Sequence, residues 1–398
     1  MASLSIVNCQ VFDGESGELA DGPVRVVEGR ISAVGPDAGD IADQVLDVRG
    51  GTVLPGLIDA HFHAYGVGLD PLGIESRPLS YVALAGARRL TDALARGFTT
   101  VRDVAGGDPG LAAAIAEGLL SAPRYLYTGP ALSQTGGHGD ARGADSDLCG
   151  CHAHMNEVVD GVDALRRAVR DRFRRGAHAI KIMASGGVVS PTDPIRVPQY
   201  SADEVRAVTE EAARRGSYVA AHAYSAEAIR HAVANGVRTV EHGNLLDAPT
   251  AELMAELGAF LVPTLITYDA MDLRGAELGL SAAGQAKNRE VLDAGRTAVE
   301  LARAAGVRIG FGTDLMGELA DEQLGGLRVQ TEVEGVLRTL QAATSVNADL
   351  IGRPDLGRVA VGCVADLLIV DGDPFADPTL LWTPTAGRRV VQGGRVVR

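Results

Sequence analysis

Short apolar runs of strand character alternate with alanine-rich stretches of helical character along most of this 398-residue chain. The spacing is about 30 residues, the rhythm of β-α-β units and a parallel sheet. Eight runs read as strands: Val53–Ala60, Thr99–Val104, Tyr125–Thr128, Ala179–Met183, Tyr218–His222, Thr239–His242, Phe260–Thr264 and Arg308–Thr313. Several are separated by helical stretches, Ala83–Arg96, Val162–Arg175, Ala202–Arg215, Ala226–Asn235 and Asn288–Ala305, each with Arg or Glu on a polar face. Eight strands with intervening helices, and no Gly-x-Gly-x-x-Gly opening the first unit, predict an α/β fold built on a closed (β/α)8 TIM-like barrel rather than an open doubly wound sheet.

A different texture marks the two ends. Leu4–Val7, Val24–Val34 and Val45–Val48 are short β-branched runs broken by Gly and Asp, and the pattern returns only in Val364–Val370 and Arg388–Val397. Alone, each fragment would expose a hydrophobic face, so the termini are expected to pair into one small β-sandwich domain, residues 1–57 and 358–398, around a barrel of residues 58–357. With 51 acidic against 37 basic residues the net charge is −14, and no basic stretch interleaved with aromatics offers a nucleic-acid surface. The N-terminus lacks a basic leader, and the longest apolar runs, such as residues 259–266, fall far below the ~20 residues of a membrane span. Cys9, Cys149, Cys151 and Cys363 are too few and too scattered for a disulfide scaffold. A cytoplasmic chain with neither nucleic-acid nor membrane partners is the expectation.

Polar residues fall where such a barrel assembles its site, at the C-terminal ends of successive strands. The first strand ends in His61-Phe-His63, and the two-residue strand period turns both imidazoles to one face, where they can serve one metal ion. The fourth strand ends in Lys181, the fifth in His222, the sixth in Glu241-His242-Gly243 and the eighth in Gly312-Thr313-Asp314. Any one histidine there would be an ordinary structural residue; four histidines, a lysine and an aspartate at successive ends are not a random placement. Seven of the 50 glycines gather beside them, at Gly136-Gly137, Gly139, Gly186-Gly187, Gly243 and Gly312, so part of the glycine excess is backbone brought close to metal or substrate.

The run Val53-Leu-Pro-Gly-Leu-Ile-Asp-Ala-His-Phe-His63, with Lys181, His222, His242 and Asp314 in order, resembles the binuclear metal-dependent amidohydrolase superfamily over essentially the whole chain. Gly362-Cys-Val-Ala-Asp-Leu-Leu-Ile-Val-Asp371 is similar to that family's late β-sandwich segment. More narrowly, Gly136-Gly-His-Gly-Asp140, Ile180-Lys-Ile-Met-Ala-Ser-Gly-Gly187 and Ala221-His-Ala-Tyr224 resemble its prolidase-like branch of Xaa-dipeptidases and carboxypeptidases, which also contains amidases of other amino-acid conjugates. The resemblance implies that His61, His63 and Asp314 hold one divalent ion and that His222 and His242 hold a second, roughly 3.5–4 Å away. A plain ammonium has no lone pair for a metal, and the resemblance implies that Lys181 is carboxylated to a bridging carbamate. Histidine with oxygen ligands suits zinc, and manganese, cobalt or iron could also bind.

The activity that the resemblance implies is metal-dependent hydrolysis of the amide next to a C-terminal amino acid, in a dipeptide or an N-acyl amino acid, through a metal-bridging hydroxide; metals lower the pKa of water from about 15.7 to about 7. Asp314 is expected to act as general base and acid, with Tyr224 and His138 donating hydrogen bonds to the substrate carbonyl or carboxylate. Hydrolysis of a lactone, carbamate or phosphotriester is the alternative, because the same nucleophile attacks each. Deamination is disfavoured because Lys181 is present and Ser225 stands where a His-x-x-Glu shuttle after His222 would place its glutamate. A non-catalytic scaffold is disfavoured because all six ligand positions are filled. Homo-oligomerisation is expected by family analogy alone. Of the remaining candidates, Cys149-Gly-Cys151-His152-Ala-His154 lacks common zinc spacing and reads as a lid or interface loop. His178 and His231 read as surface residues and Asp103 as structural. Arg196 reads either as a reader of substrate carboxylate or as a solvated charge.

Overall fold

The computed structural model describes residues 3–38, 42–143, 154–190, 192–385 and 387–397. Its centre is a ring of parallel strands: Leu57–Phe62, Phe98–Asp103, Arg124–Tyr127, Ile180–Met183, Val219–Ser225, Thr239–Leu245, Phe260–Val262 and Arg308–Ile309. Neighbours pair in parallel around the ring, and the last segment returns to the first through Ala60 N to Phe311 O and Asp314 N to His61 O, at 3.0 and 2.8 Å. Helices Leu79–Ala95, Val162–Arg174, Ala202–Arg214, Ala226–Ala234 and Ala282–Ala304 occupy the stretches expected for them, the last beginning six residues earlier than its periodicity suggested.

Three strand expectations change. The first predicted run is two strands: Thr52–Pro55 belongs to a terminal sheet and Leu57–Phe62 to the barrel, parted at Gly56, where a Cβ would meet Thr99 Oγ1 at 2.1 Å. The third barrel strand comes in two pieces, because after Gly129-Pro130 the chain resumes as Ala131–Ser133, which carries the pairing on to the fourth strand through Leu132 and Ile182. Pro130 has no amide hydrogen to give a ladder, and its carbonyl accepts instead from Arg172 Nε at 2.8 Å. A strand absent from the sequence reading, Asn156–Val158, lies parallel to Ala131–Ser133.

Both termini contribute to sheets beside the barrel. Arg30–Val34, Val24–Val27, Ser3–Val7 and Gln44–Asp47 form one in that order. A second runs through Arg395–Val396, Arg389–Gln392, Leu367–Val370, Thr52–Pro55, Gln10–Val11 and Ala20–Asp21. Leu367–Val370 pairs antiparallel with Thr52–Pro55, and Ile6, Val24, Ile31, Val53, Leu367 and Val391 share one buried cluster. Among the described residues no helix is long and apolar enough to cross a membrane.

Candidate active site

The ends of strands one, four, five, six and eight bring His61, His63, Lys181, His222, His242 and Asp314 to one cavity. Asp59 fastens the first and last of these together. Its buried carboxylate accepts from His61 N, Thr313 N and Thr313 Oγ1 at 3.2, 3.1 and 2.7 Å, and from Gln323 Nε2 at 3.0 Å. Gly312 lets the two strand ends meet, because a Cβ there would lie 2.6 Å from His61 Cβ. His242 and Asp314 have φ of 73° and 52°, a left-handed backbone uncommon for either residue and typical of strain held at functional positions.

Hydrogen bonds leave a nitrogen of each ring for other work. His61 Nδ1 lies 2.8 Å from Glu241 Oε2, and its Nε2 faces Asp314 Oδ1 at 3.4 Å. His63 Nε2 lies 2.9 Å from the same oxygen, while its Nδ1 is buried with no hydrogen-bond partner. His222 Nε2 bonds the carbonyl of Gly186 at 3.0 Å, which leaves Nδ1 as the lone-pair nitrogen. His242 Nδ1 pairs with Thr264 Oγ1 at 2.8 Å, which frees Nε2. The rings crowd together, with centroids 5.0 Å apart for His61 and His63, 4.9 Å for His61 and His242, and 4.6 Å for His222 and His242.

Burial sets the charge of the cluster. Desolvation pushes His63 down and His222 and His242 well down from the usual imidazole range, so these rings are neutral and carry lone pairs. Burial alone would raise Asp314, but the histidines around it, His61 foremost, hold it far below the carboxylate range. Burial lowers the Lys181 amine to about 8, and the side chain has no hydrogen-bond partner among the described residues. Neutral imidazoles facing an ionised carboxylate, with one ring nitrogen orphaned, are a donor set that fits a divalent ion. Ligand atoms of His61, His242 and Asp314 all lie within 4.8 Å of one another.

The cavity encloses about 780 Å³, part of it open to solvent. Apolar side chains dominate its walls, among them Leu69, Ile74, Met155, Met183, Val188 and Met271, with Glu75, Asn156 and Thr267 as polar lining. Tyr224 and His138 both line it. His138 stacks on His222 at 4.1 Å, with Nδ1 2.8 Å from Ser190 Oγ, and burial lowers its pKa to about 4. Only glycine fits at position 187, since a Cβ would enter the His138 ring. Lys287 holds this loop by donating to the carbonyls of Gly187, Ser190 and Asp193 at 2.9, 2.9 and 2.8 Å.

Other candidates lie elsewhere. Arg196 is exposed and paired with Glu290 at 2.9 Å, outside the cavity lining. Asp103 is buried, accepts from Tyr125 Oη at 2.7 Å and is pushed by burial to about 7; its Oδ1 lies 4.0 Å from His63 Nδ1. Cys149, Cys151 and His152 fall outside the described residues, and His154 Nε2 bonds the carbonyl of Arg77 at 2.9 Å. The surface reading of His178 and His231 is corrected: both are half-buried, with His178 Nε2 shut away from solvent and His231 Nε2 against Tyr200 O at 3.1 Å. Sequence reasoning missed Arg102, Thr264, Tyr268 and Lys287, and gave Glu241 no role. The signal that could have found Glu241 is an acid one residue before a strand-end histidine, inside an apolar run.

Comparison with known proteins agrees with this geometry. The sequence profile of the amidohydrolase family matches residues 52–397. Ochratoxinase from Aspergillus niger is 32% identical, across 100% of this chain and 87% of that one. A prolidase solved with N-methylphosphonate-L-proline is 43% identical with a TM-score of 0.97, covering 100% of both chains. A Xaa-Pro dipeptidase with methionine bound in its active site is 28% identical with a TM-score of 0.88, covering 99% of each.

Proposed function

The chain belongs to the amidohydrolase family, in its prolidase-like branch, and is a hydrolase of amide or peptide bonds; on that premise we propose that it cuts the amide next to a C-terminal amino acid in dipeptides or N-acyl amino acids. The observation that carries this reading is the convergence of four imidazoles, Lys181 and Asp314 on the floor of one largely apolar cavity. His61, His63 and Asp314 would hold one divalent ion, and His222 and His242 the other. Zinc suits that mixture of nitrogen and oxygen. Lys181, with its lowered amine, would add carbon dioxide at Nζ and release a proton, becoming a carbamate that would supply anionic oxygen ligands to the ions. When bound, such ions polarise the scissile carbonyl and acidify water.

The chain's own groups do the rest. Asp314 takes the proton of the attacking water and returns it to the departing nitrogen. Tyr224, on the cavity wall, donates a hydrogen bond to the substrate carbonyl or carboxylate. The donor role expected of His138 is revised: its Nδ1–H is spent on Ser190 Oγ, whose own proton goes to Gly187 O, so its neutral ring offers the substrate a lone pair on Nε2. Apolar walls exclude water and accept a hydrophobic side chain or acyl group. The proposed division is the one expected from the sequence, a β-sandwich domain of residues 1–57 and 358–398 and a barrel of residues 58–357, except that Leu57 itself opens the first barrel strand.

The test is a screen of zinc-loaded protein against dipeptides and N-acyl amino acids, with lactones, carbamates and phosphotriesters alongside. Release of a free amino acid is expected to dominate; preferred lactone turnover would overturn the substrate class. Asp314→Asn is expected to keep the fold and lose at least about 100-fold in kcat. Intact-protein mass spectrometry and metal content read the Lys181 assignment, and an unmodified amine beside two bound ions would reject the carbamate.

A further inference from the structure

Four buried side chains run in line from the ligand cluster to the cavity wall. His242 Nδ1 lies 2.8 Å from Thr264 Oγ1, Thr264 Oγ1 lies 3.4 Å from Tyr268 Oη, and Tyr268 Oη lies 3.0 Å from Tyr224 Oη. Among the described residues the Thr264 hydroxyl has no other hydrogen-bond partner, and the Tyr224 hydroxyl has only Tyr268. Each hydroxyl has one proton to give. The arrangement in which every proton finds an acceptor, the outermost one in the cavity, therefore links the direction of the bond at one end to the direction at the other. With a proton on His242 Nδ1, the ring donates to Thr264, Thr264 donates to Tyr268, and Tyr268 donates to Tyr224, whose own proton is left for the cavity. With Nδ1 bare the chain can run the other way, and Tyr224 presents lone pairs instead.

Thr264 gives an independent reason to read this chain as built for a purpose. It occupies the N-cap position of helix Leu265–Arg274, yet its side chain makes no cap hydrogen bond, and its backbone sits at φ 47° and ψ 39°. A threonine cap stabilises a helix N-terminus, and a left-handed conformation is costly for a β-branched residue. The cap is forgone and the strain is borne while the hydroxyl turns to His242 and Tyr268.

We propose that Thr264 and Tyr268 are positioning residues that carry the tautomer of His242 to Tyr224, so that a cation on His242 Nε2, which leaves the proton on Nδ1, makes Tyr224 a hydrogen-bond donor to the substrate. This rests on the reading of Tyr224 as a substrate contact. An enzyme so wired would bind substrate well only when its ligand site is loaded.

Calorimetric binding of the N-methylphosphonate of whichever amino acid the screen releases tests it, in metal-loaded wild type, Tyr224→Phe, Tyr268→Phe, Thr264→Val, Thr264→Ser and the Tyr224→Phe/Tyr268→Phe double variant, each checked for metal content and thermal unfolding. Tyr268→Phe and Thr264→Val are expected to weaken binding about 5- to 50-fold, as Tyr224→Phe does. Thr264→Ser, which keeps the hydroxyl, is expected to restore it, and the double variant to bind no worse than Tyr224→Phe alone. If Tyr268→Phe weakens binding by the same factor in both backgrounds, or not at all, the relay is wrong while the reading of Tyr224 stands. If Tyr224→Phe itself binds as wild type does, that reading fails and the relay with it.

Discussion

Glu241 has every oxygen engaged at the floor of the barrel. Oε1 accepts from Arg102 Nη2 at 2.8 Å and Thr239 Oγ1 at 2.7 Å, and Oε2 accepts from Arg102 Nη2 at 2.9 Å and His61 Nδ1 at 2.8 Å. Burial alone would raise this carboxyl, but Arg102, then His61, hold it below the carboxylate range. An anion that only accepts obliges His61 to keep its proton on Nδ1, which leaves Nε2 for a metal. Glu241→Gln is therefore expected to weaken metal retention about 10- to 100-fold, read by chelator competition. It is also expected to cost about 3–5 kcal/mol in urea unfolding, because Arg102 stays buried without its counter-charge. Wild-type retention in a folded variant would remove the role. The convergence of the candidate ligands was legible because strand ends and motif order mark them. Glu241's part was not, since its partners lie 180 and 139 residues away and no periodicity joins them.

At the scale of elements, the βα rhythm located the eight barrel strands, because an apolar run between helices leaves few other places for itself. Strand ends were less legible where side chains or glycines replace ladder bonds. The eighth run was expected to reach Thr313, but regular pairing stops at Ile309. Beyond it Asn347 takes over: its Oδ1 accepts from Phe311 N at 3.2 Å, and its Nδ2 donates to Ile58 O and Phe311 O, both at 2.7 Å. One amide thus stitches the last strand to the first just below Asp314 and His61, a substitute for backbone pairing that no local pattern announces. Replacing Asn347 with Leu would strip a partner from the Phe311 amide and from Ile58 O, each worth about 1–3 kcal/mol, while Phe311 O keeps Ala60 N. A loss of roughly 2–4 kcal/mol in urea unfolding is the expected outcome, with faster hydrogen exchange at the Phe311 amide. A loss below about 1 kcal/mol would mean the barrel closes without this stitch.

For the whole molecule, the acidic balance that first served to exclude nucleic acid also bears on acid stability, through individual buried groups rather than the net charge. His178 is lowered by burial from 6.5 to about 4. Its folded pKa lies below the unfolded one, so between those values the unfolded chain takes up a proton that the folded chain refuses. Stability present above pH 6.5 is then lost as pH falls toward 4, at up to about 1.4 kcal/mol per pH unit. Glu211 continues the slope further down. Its carboxylate is only 6% exposed and accepts from Arg166, Arg170 and Arg214 at 3.1, 2.6 and 3.2 Å, and these bonds, Arg170 foremost, lower it from 4.5 to about 2. Stability from that cluster is complete above pH 4.5 and disappears as pH falls through 2. His178→Phe keeps a ring against Tyr218, where the imidazole now sits edge-on at 5.8 Å, and removes the titration. Unfolding measured from pH 7 to 3 is expected to show that variant losing about 2–3 kcal/mol less than wild type between pH 6.5 and 4. Glu211→Gln is expected to start lower at pH 7 and to run flatter below 4.5 while matching the wild-type slope above it. Parallel curves for His178→Phe and wild type across the upper window would move the acid sensitivity away from the barrel base and onto the histidines of the candidate site.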